Sequence, residues 1–320
     1  MQTGQAYALG KPATGFREFA NWKSYVLVAI YLILWFASVV VIHTKAGLSL
    51  SEPLLIFAIV GVGFSALAWL LTRHSEPLQF EVRNPRTECS LLAFCLVVVV
   101  LFLTWGIDTL KICVQREPSQ MLAMLGTKLA LFVLIPFVLF YAFEKYKISE
   151  LLPASSRPKH LRAALWMSLV LVLFQTVFGR GVSEIRHSGL PLWAVAVGLP
   201  LAYVWLLVEV GLVEEFFFRV LLQSRLSALL RSEVAGIVLM ALLFGLAHAP
   251  GLHFRSAVTL EGLGPHPSWL VAIGYSIAVT SVAGIFLGIL WARTRNILVL
   301  MLVHAAGDLL PNLVQFVKAW

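Results

Sequence analysis

The chain has 320 residues, 60% of them hydrophobic and 12% charged, with a net charge of +8. A mean hydropathy of +0.89 excludes a soluble domain and indicates a polytopic membrane protein. The basic excess then concerns topology and the anionic inner leaflet, and implies no nucleic-acid partner.

Met1–Lys23 reads as a polar lead carrying Lys11, Arg17 and Lys23. Runs long enough to cross a hydrocarbon core of about 30 Å follow at Tyr25–Ile42, Pro53–Thr72, Cys89–Ile107, Met121–Phe143 and Leu161–Gly179. Four more lie at Leu192–Val213, Val234–His248, Trp269–Trp291 and Ile297–Val317. The first is too long for a signal-peptide core and has no small-residue cleavage site, so it is retained as a span. In the fourth, Lys128 either faces the bundle or snorkels, and Pro136 is expected to kink the helix. The seventh is short and is expected to stop at Ala249-Pro250-Gly251, before a loop holding His253, Glu261 and His266. Gly61 and Gly63 in the second span, and Gly284 and Gly288 in the eighth, offer close helix packing. Cys89, Cys95 and Cys113 show no paired spacing and read as free and structural, Cys113 in a loop.

The expected fold is an all-α transmembrane bundle of eight or nine helices. Residues 1–190 supply N-terminal helices of unassigned role, and 191–320 a catalytic bundle. With nine spans, sixteen lysines and arginines fall on the N-terminal side and seven on the other, with Lys128 inside a span. The positive-inside rule then places the N-terminus in the cytoplasm. The sequence carries no signal for an oligomeric state.

Charge inside such a chain is costly, about 2.5 kcal/mol and upward for each side chain near a bilayer centre. Val213-Glu214-Glu215-Phe216-Phe217-Phe218-Arg219 nevertheless holds three charges at the end of an apolar run. Glu215 and Arg219 are i and i+4 and can neutralise each other. Glu214 points about 100° away and is left as the working carboxylate. Glu209, deeper in the same run, is not accounted for. Phe244-x-x-x-His248 and His304-x-x-x-Asp308 place further polar groups on two other apolar helices, and one shared cavity is the economical explanation. If span six ended at Val213, Glu214 and His248 would lie near opposite membrane edges. Helix six is therefore expected to run on through Arg219 towards Leu230.

A glutamate with two histidines supports two chemistries. Glu214 and His248 can activate a water while His304 and Asp308 stabilise an oxyanion. Alternatively, a metal such as zinc is held by His248, His304 and a carboxylate, Glu214 or Asp308, with one position open for water. There is no His-Glu-x-x-His and no Gly-x-Ser-x-Gly in the chain.

The set Glu214-Glu215-x-x-x-Arg219, Phe244-x-x-x-His248 and His304-x-x-x-Asp308 resembles the CPBP intramembrane proteases. These include the type II CAAX prenyl endopeptidases and Abi-related bacterial proteins linked to bacteriocin processing or immunity. Gly284-x-x-x-Gly288 followed by Ala292-Arg293-Thr294-Arg295-Asn296-Ile297 is also family-like, and the resemblance spans roughly Leu192 to Val314. It implies an intramembrane endopeptidase in a bacterial plasma membrane, acting on a peptide or membrane-protein substrate. Glu214 and His248 would activate water, His304 and position 308 would serve the oxyanion, and Glu215 with Arg219 would support them. No cofactor is required on this reading, although the family has also been described as using zinc. Asp308 departs from the asparagine of the eukaryotic CAAX enzymes, which argues against prenylated CAAX substrates. A non-proteolytic immunity or scaffold protein, and a proton-coupled transporter using Glu209, are the competing readings.

Overall fold

The computed structural model describes residues 7–9, 21–254 and 262–320. Lys11, Arg17 and Glu261 lie outside the described residues. Among those described, nine helices are long and apolar enough to cross a membrane. They are α1 (Trp22–Ala46), α2 (Ser51–Thr72), α3 (Pro85–Gly106), α4 (Glu117–Phe143), α5 (Pro158–Phe178), α6 (Leu192–Leu230), α7 (Glu233–His253), α8 (Trp269–Thr294) and α9 (Ile297–Ala319). The protein is an all-α polytopic membrane bundle. A lipid core leaves no water for backbone groups, so each crossing segment closes its own hydrogen bonds as a helix.

Burial sorts the helices. The most apolar window is 61% buried in α7, 67% in α8 and 56% in α9, but only 11% in α4 and 17% in α2 and α3. Helices α7 to α9 therefore form the centre, and α1 to α5 turn most of their side chains to lipid. A single core joins Phe64, Leu92, Phe132 and Ala164 from the first half to Phe216, Phe286 and Leu300 from the second. Gly284 makes the central approach possible: a Cβ there would lie 3.0 Å from the Cα of Ala241. Ahead of Pro136, α4 widens into a π-type turn over Leu129–Leu134, which accommodates the missing proline N–H.

Helix α6 is the exception in length. At 1.5 Å per residue its 39 residues extend about 58 Å, well past the thickness of a hydrocarbon core. Its far end is collared by connections from the N-terminal half. Arg225 and Glu88, both fully buried, pair at 2.8 Å. Tyr146 donates to Glu88 at 3.0 Å, and the backbone N–H groups of Arg83 and Asn84 donate to the same carboxylate. Burial beside Glu88 pushes the Tyr146 hydroxyl up to about 12, so it stays a donor. The Arg225 guanidinium lies 4.6 Å from the Phe140 ring centre. Asn21 caps α1 and donates to the Leu230 and Arg231 carbonyls that finish α6.

Two expectations are corrected. Helix α7 does not stop at Ala249-Pro250-Gly251 but continues to His253. Pro250 falls in the last turns, where its fixed φ suits a helix and only one ladder bond is forfeited. His253 then stacks on Trp269, with ring centres 4.2 Å apart. Within the lead, Tyr7–Leu9 pairs antiparallel with Phe80–Val82. Phe80 and Val82 are buried and Glu81 is exposed, the alternation of a strand with one face covered. Cys113 ends a helix, Ile107–Cys113, rather than sitting in a loop.

The collar yields a stability test. Glu88→Ala strands Arg225 in a site without solvent, and the expected loss is about 3–5 kcal/mol, read as a lowered melting temperature in detergent. The double variant Glu88→Met with Arg225→Met should recover much of it. A single variant as stable as the parent would show that the pair is not what fixes the end of α6.

Candidate active site

Continuity of α6 through the charged motif decides the geometry. The helix passes Val213 without a break, using wide π-type turns over Leu207–Leu212 and Glu215–Gln223. Such turns are uncommon and re-aim side chains relative to a regular α-helix. Gly211 lets α9 close against it, because a Cβ there would lie 3.0 Å from the Met301 Cα. The second motif sits late in α7 and the third in the first half of α9. Asn296 caps α9 by accepting from the Leu298 N–H.

The three motifs meet. Glu214 Oε2 is 4.0 Å from His248 Nε2 and 4.0 Å from His304 Nε2. His304 Nε2 is 3.7 Å from Asp308 Oδ2. These separations exceed a direct hydrogen bond and lie within reach through one water. The other ring nitrogens are engaged. His248 Nδ1 donates to the Phe244 carbonyl at 2.8 Å, because a carbonyl oxygen can only accept. His304 Nδ1 donates to Glu215 Oε1 at 2.5 Å. Both rings therefore present Nε2 to the space beside Glu214.

Glu215 does more than the sequence indicates. Its Oε1 contacts Arg219 Nη1 at 3.0 Å as well as His304, and both Glu215 and Arg219 are fully buried. The Arg219 guanidinium lies 4.1 Å from the Phe244 ring centre, a cation–π contact. Phe244 packs edge-on against His248 at 4.7 Å and against His304 at 6.2 Å. It thus packs against both imidazoles. Glu209, unexplained in the sequence, pairs with Lys128 at 2.9 Å and accepts from Trp205 Nε1 at 2.7 Å. Lys128 faces the bundle and does not snorkel.

Sequence reasoning missed the Glu215–His304 contact, the contact of Phe244 with the His304 ring, and the Lys128–Glu209 pair. Only the last left a signal, as two lone charges in apolar runs. His253 and His266 do not contact the four converging residues in any recorded hydrogen bond or ion pair among the described residues.

A zinc ion fits this arrangement poorly. Tetrahedral bonds of ~2.0–2.1 Å put donor atoms ~3.3 Å apart, against 3.7 to 4.0 Å here. Among the described residues no group of three or more His, Cys, Asp or Glu is arranged to hold a metal ion.

Residues 196–310 match the family model described as Rce1-like, type II CAAX prenyl endopeptidase Rce1-like. The matched stretch contains all three motifs, and over it the resemblance drawn from them is shown. No curated protein and no solved structure matches the chain.

The double duty of Glu215 predicts a compound defect. Glu215→Gln leaves Arg219 without a counter-charge and weakens the hold on His304, so thermal stability should fall by about 3 kcal/mol or more. Melting curves of the purified variant in detergent measure this. A variant with parental melting and lost activity alone would contradict the structural part of the role.

Proposed function

We propose, from an Rce1-like domain over residues 196–310, that this integral membrane protein hydrolyses a peptide bond of a membrane-associated polypeptide. Glu214 serves as general base. The observation that carries the reading is the 4.0 Å approach of Glu214 Oε2 to the Nε2 atoms of both His248 and His304.

A water seated between Glu214 and His248 gives a proton to the carboxylate as its oxygen attacks the scissile carbonyl carbon. His248, with Nδ1–H held by the Phe244 carbonyl, orients that water through Nε2. The carbonyl oxygen becomes an oxyanion beside His304. With Nδ1–H committed to Glu215, a protonated His304 presents Nε2–H to that charge. Asp308, 3.7 Å away, adds a donor when it carries its proton and otherwise orients the ring. The proton on Glu214 then passes to the amide nitrogen as the C–N bond breaks, giving a carboxylic acid and an amine. Buried surroundings strengthen each of these contacts relative to water.

In this proposal residues 191–320 carry the chemistry, and 1–190 hold helix α6 in place. The N-terminus faces the cytoplasm of a bacterial plasma membrane, no cofactor is needed, and the substrate is a peptide or membrane protein.

Glu214→Gln keeps the volume and removes the base. Turnover of a peptide substrate by purified protein should fall by about 10²–10⁴-fold, with melting unchanged. Equal activity in the variant and the parent would sink the assignment. Asp308→Asn installs a permanent amide donor and should preserve or raise turnover. Loss of activity in that variant, recovered on adding zinc, would overturn the metal-free reading in favour of a liganded metal.

A further inference from the structure

Enclosure of the site is lopsided. Towards Leu230 the bundle is sealed, with Glu215, Arg219, Gln223, Ser224 and Arg225 all fully buried. In the opposite sense 36% of the His248 side chain and 38% of the Asp308 side chain are exposed. The partly exposed members of the site thus lie on its side away from Leu230, towards the end of the bundle that carries the α3–α4 connection.

At that end lies a cavity of about 320 Å³ between the first turns of α4, the connection before it, α6 and α9. None of Glu214, His248, His304 and Asp308 lines it, but its wall leads to them. Glu209 in the wall is five residues before Glu214, where an i→i+5 turn over Leu207–Leu212 brings residues five apart back towards one face. Asn312, also in the wall, is one turn beyond Asp308 and donates to its carbonyl at 2.8 Å. Carboxamides of Gln120, Asn312 and Gln315 and the rings of Trp205 and Phe316 surround the space. That mixture suits an extended peptide, whose backbone needs donors and acceptors while its side chains need apolar contact. The volume corresponds to about ten waters at ~30 Å³ each.

Charge identifies the two ends. Among the described residues the sealed end carries Arg73, Arg83, Lys145, Lys147, Arg157, Lys159 and Arg295 with others in or beside its connections, and the open end is sparser, with Lys45, Lys111, Arg116, Arg180, Arg186 and Lys318. Basic loops stay cytoplasmic.

We infer that the protease takes its polypeptide from the non-cytoplasmic face, through the cavity between the α3–α4 connection, α6 and α9. The substrate class is an exported or externally exposed segment of a membrane-associated polypeptide, and not a cytosolic C-terminal tail. This inference rests on the proposed peptidase reading.

The test uses the full chain with Cys89, Cys95 and Cys113 replaced by serine, carrying either Gln120→Cys at the cavity or Ser156→Cys at the sealed end. In spheroplasts of an expressing bacterium, a membrane-impermeant fluorescein maleimide should label Gln120→Cys directly, and Ser156→Cys only after permeabilisation. The reverse pattern overturns the inference. In purified protein the adduct at Gln120→Cys should lower peptide turnover at least ten-fold, and the adduct at Ser156→Cys should leave it unchanged. Turnover indifferent to the cavity adduct also overturns it. Both of those results leave the peptidase reading standing. Absence of turnover from the unlabelled protein removes that reading and this inference with it.

Discussion

The carboxylate of Glu215 is the contact on which the rest of the site depends. One oxygen meets Arg219 at 3.0 Å and His304 at 2.5 Å, in a place without solvent. Stranding any member of such a group costs several kcal/mol, because the partner's charge is then left bare. The three are therefore obliged to stay together, and they come from two helices far apart in sequence. Through this contact α6 and α9 are held in one register, and the Nε2 atom of His304 is aimed at Glu214. Phe244 completes the arrangement from α7 by covering the Arg219 guanidinium with its ring.

That obligation explains why the N-terminal half is needed in a chain whose motifs lie elsewhere. An α6 ending at Val213 would carry Glu214 at its tip, and the rest of the motif would leave the bundle. The helix instead runs about 24 Å beyond Glu214 at 1.5 Å per residue, and this length must itself be buried. Arg225 is answered by Glu88 of α3 and Tyr146 of the α4–α5 connection, and the Leu230 carbonyl by Asn21. On the central side Trp291 and Arg295 donate to Ser224, and Arg295 pairs with Glu233. The far end of α6 is thus gripped from both halves of the chain. Glu214 is held deep in the bundle by buried contacts made at the far end of α6.

How much of this was legible in the sequence follows from the range of each interaction. The nine apolar segments were visible because a bilayer forces every crossing backbone into a self-satisfied helix of sufficient length. Hydropathy alone stops span six at Val213 and cannot know that Arg219 and Arg225 meet Glu215 and Glu88, so the run to Leu230 was legible only from the need to bring Glu214 and His248 together. The i, i+4 contact between Glu215 and Arg219 was readable because it is local. The contact between Glu215 and His304 was not, since no period links positions on separate helices. Lys128 and Glu209 each stood out as a lone charge, yet their pairing is a fact of packing. Pro250 misled for a different reason: proline ends many helices, but close to a terminus it removes only one bond. Convergence of the three motifs was inferred from scarcity of charge and by resemblance, and side-chain placement alone supplies the distances.

Counting charges around Glu214 then defines what the site must do with protons. Lys128 answers Glu209, and Arg219 answers Glu215, so each of these pairs is neutral by itself. Glu214, Asp308, His248 and His304 remain, two acids and two imidazoles within about 4 Å of one another along the chain of contacts. With Glu214 and His304 largely enclosed, such a cluster is least costly when its net charge is zero. Neutrality here requires two protons beyond the acceptor-ready state in which both acids are ionised and both rings neutral. In the proposed reaction, one proton on His304 and the other on His248 or Asp308 would leave Glu214 ionised, able to take a proton from water, with Nε2–H of His304 facing the oxyanion. A proton taken by Glu214 would then add to a store already present, and its release to the leaving amine would return the cluster to neutrality. On that proposal the same four groups would serve as a base before attack and as an acid after it, without any charge leaving the bundle.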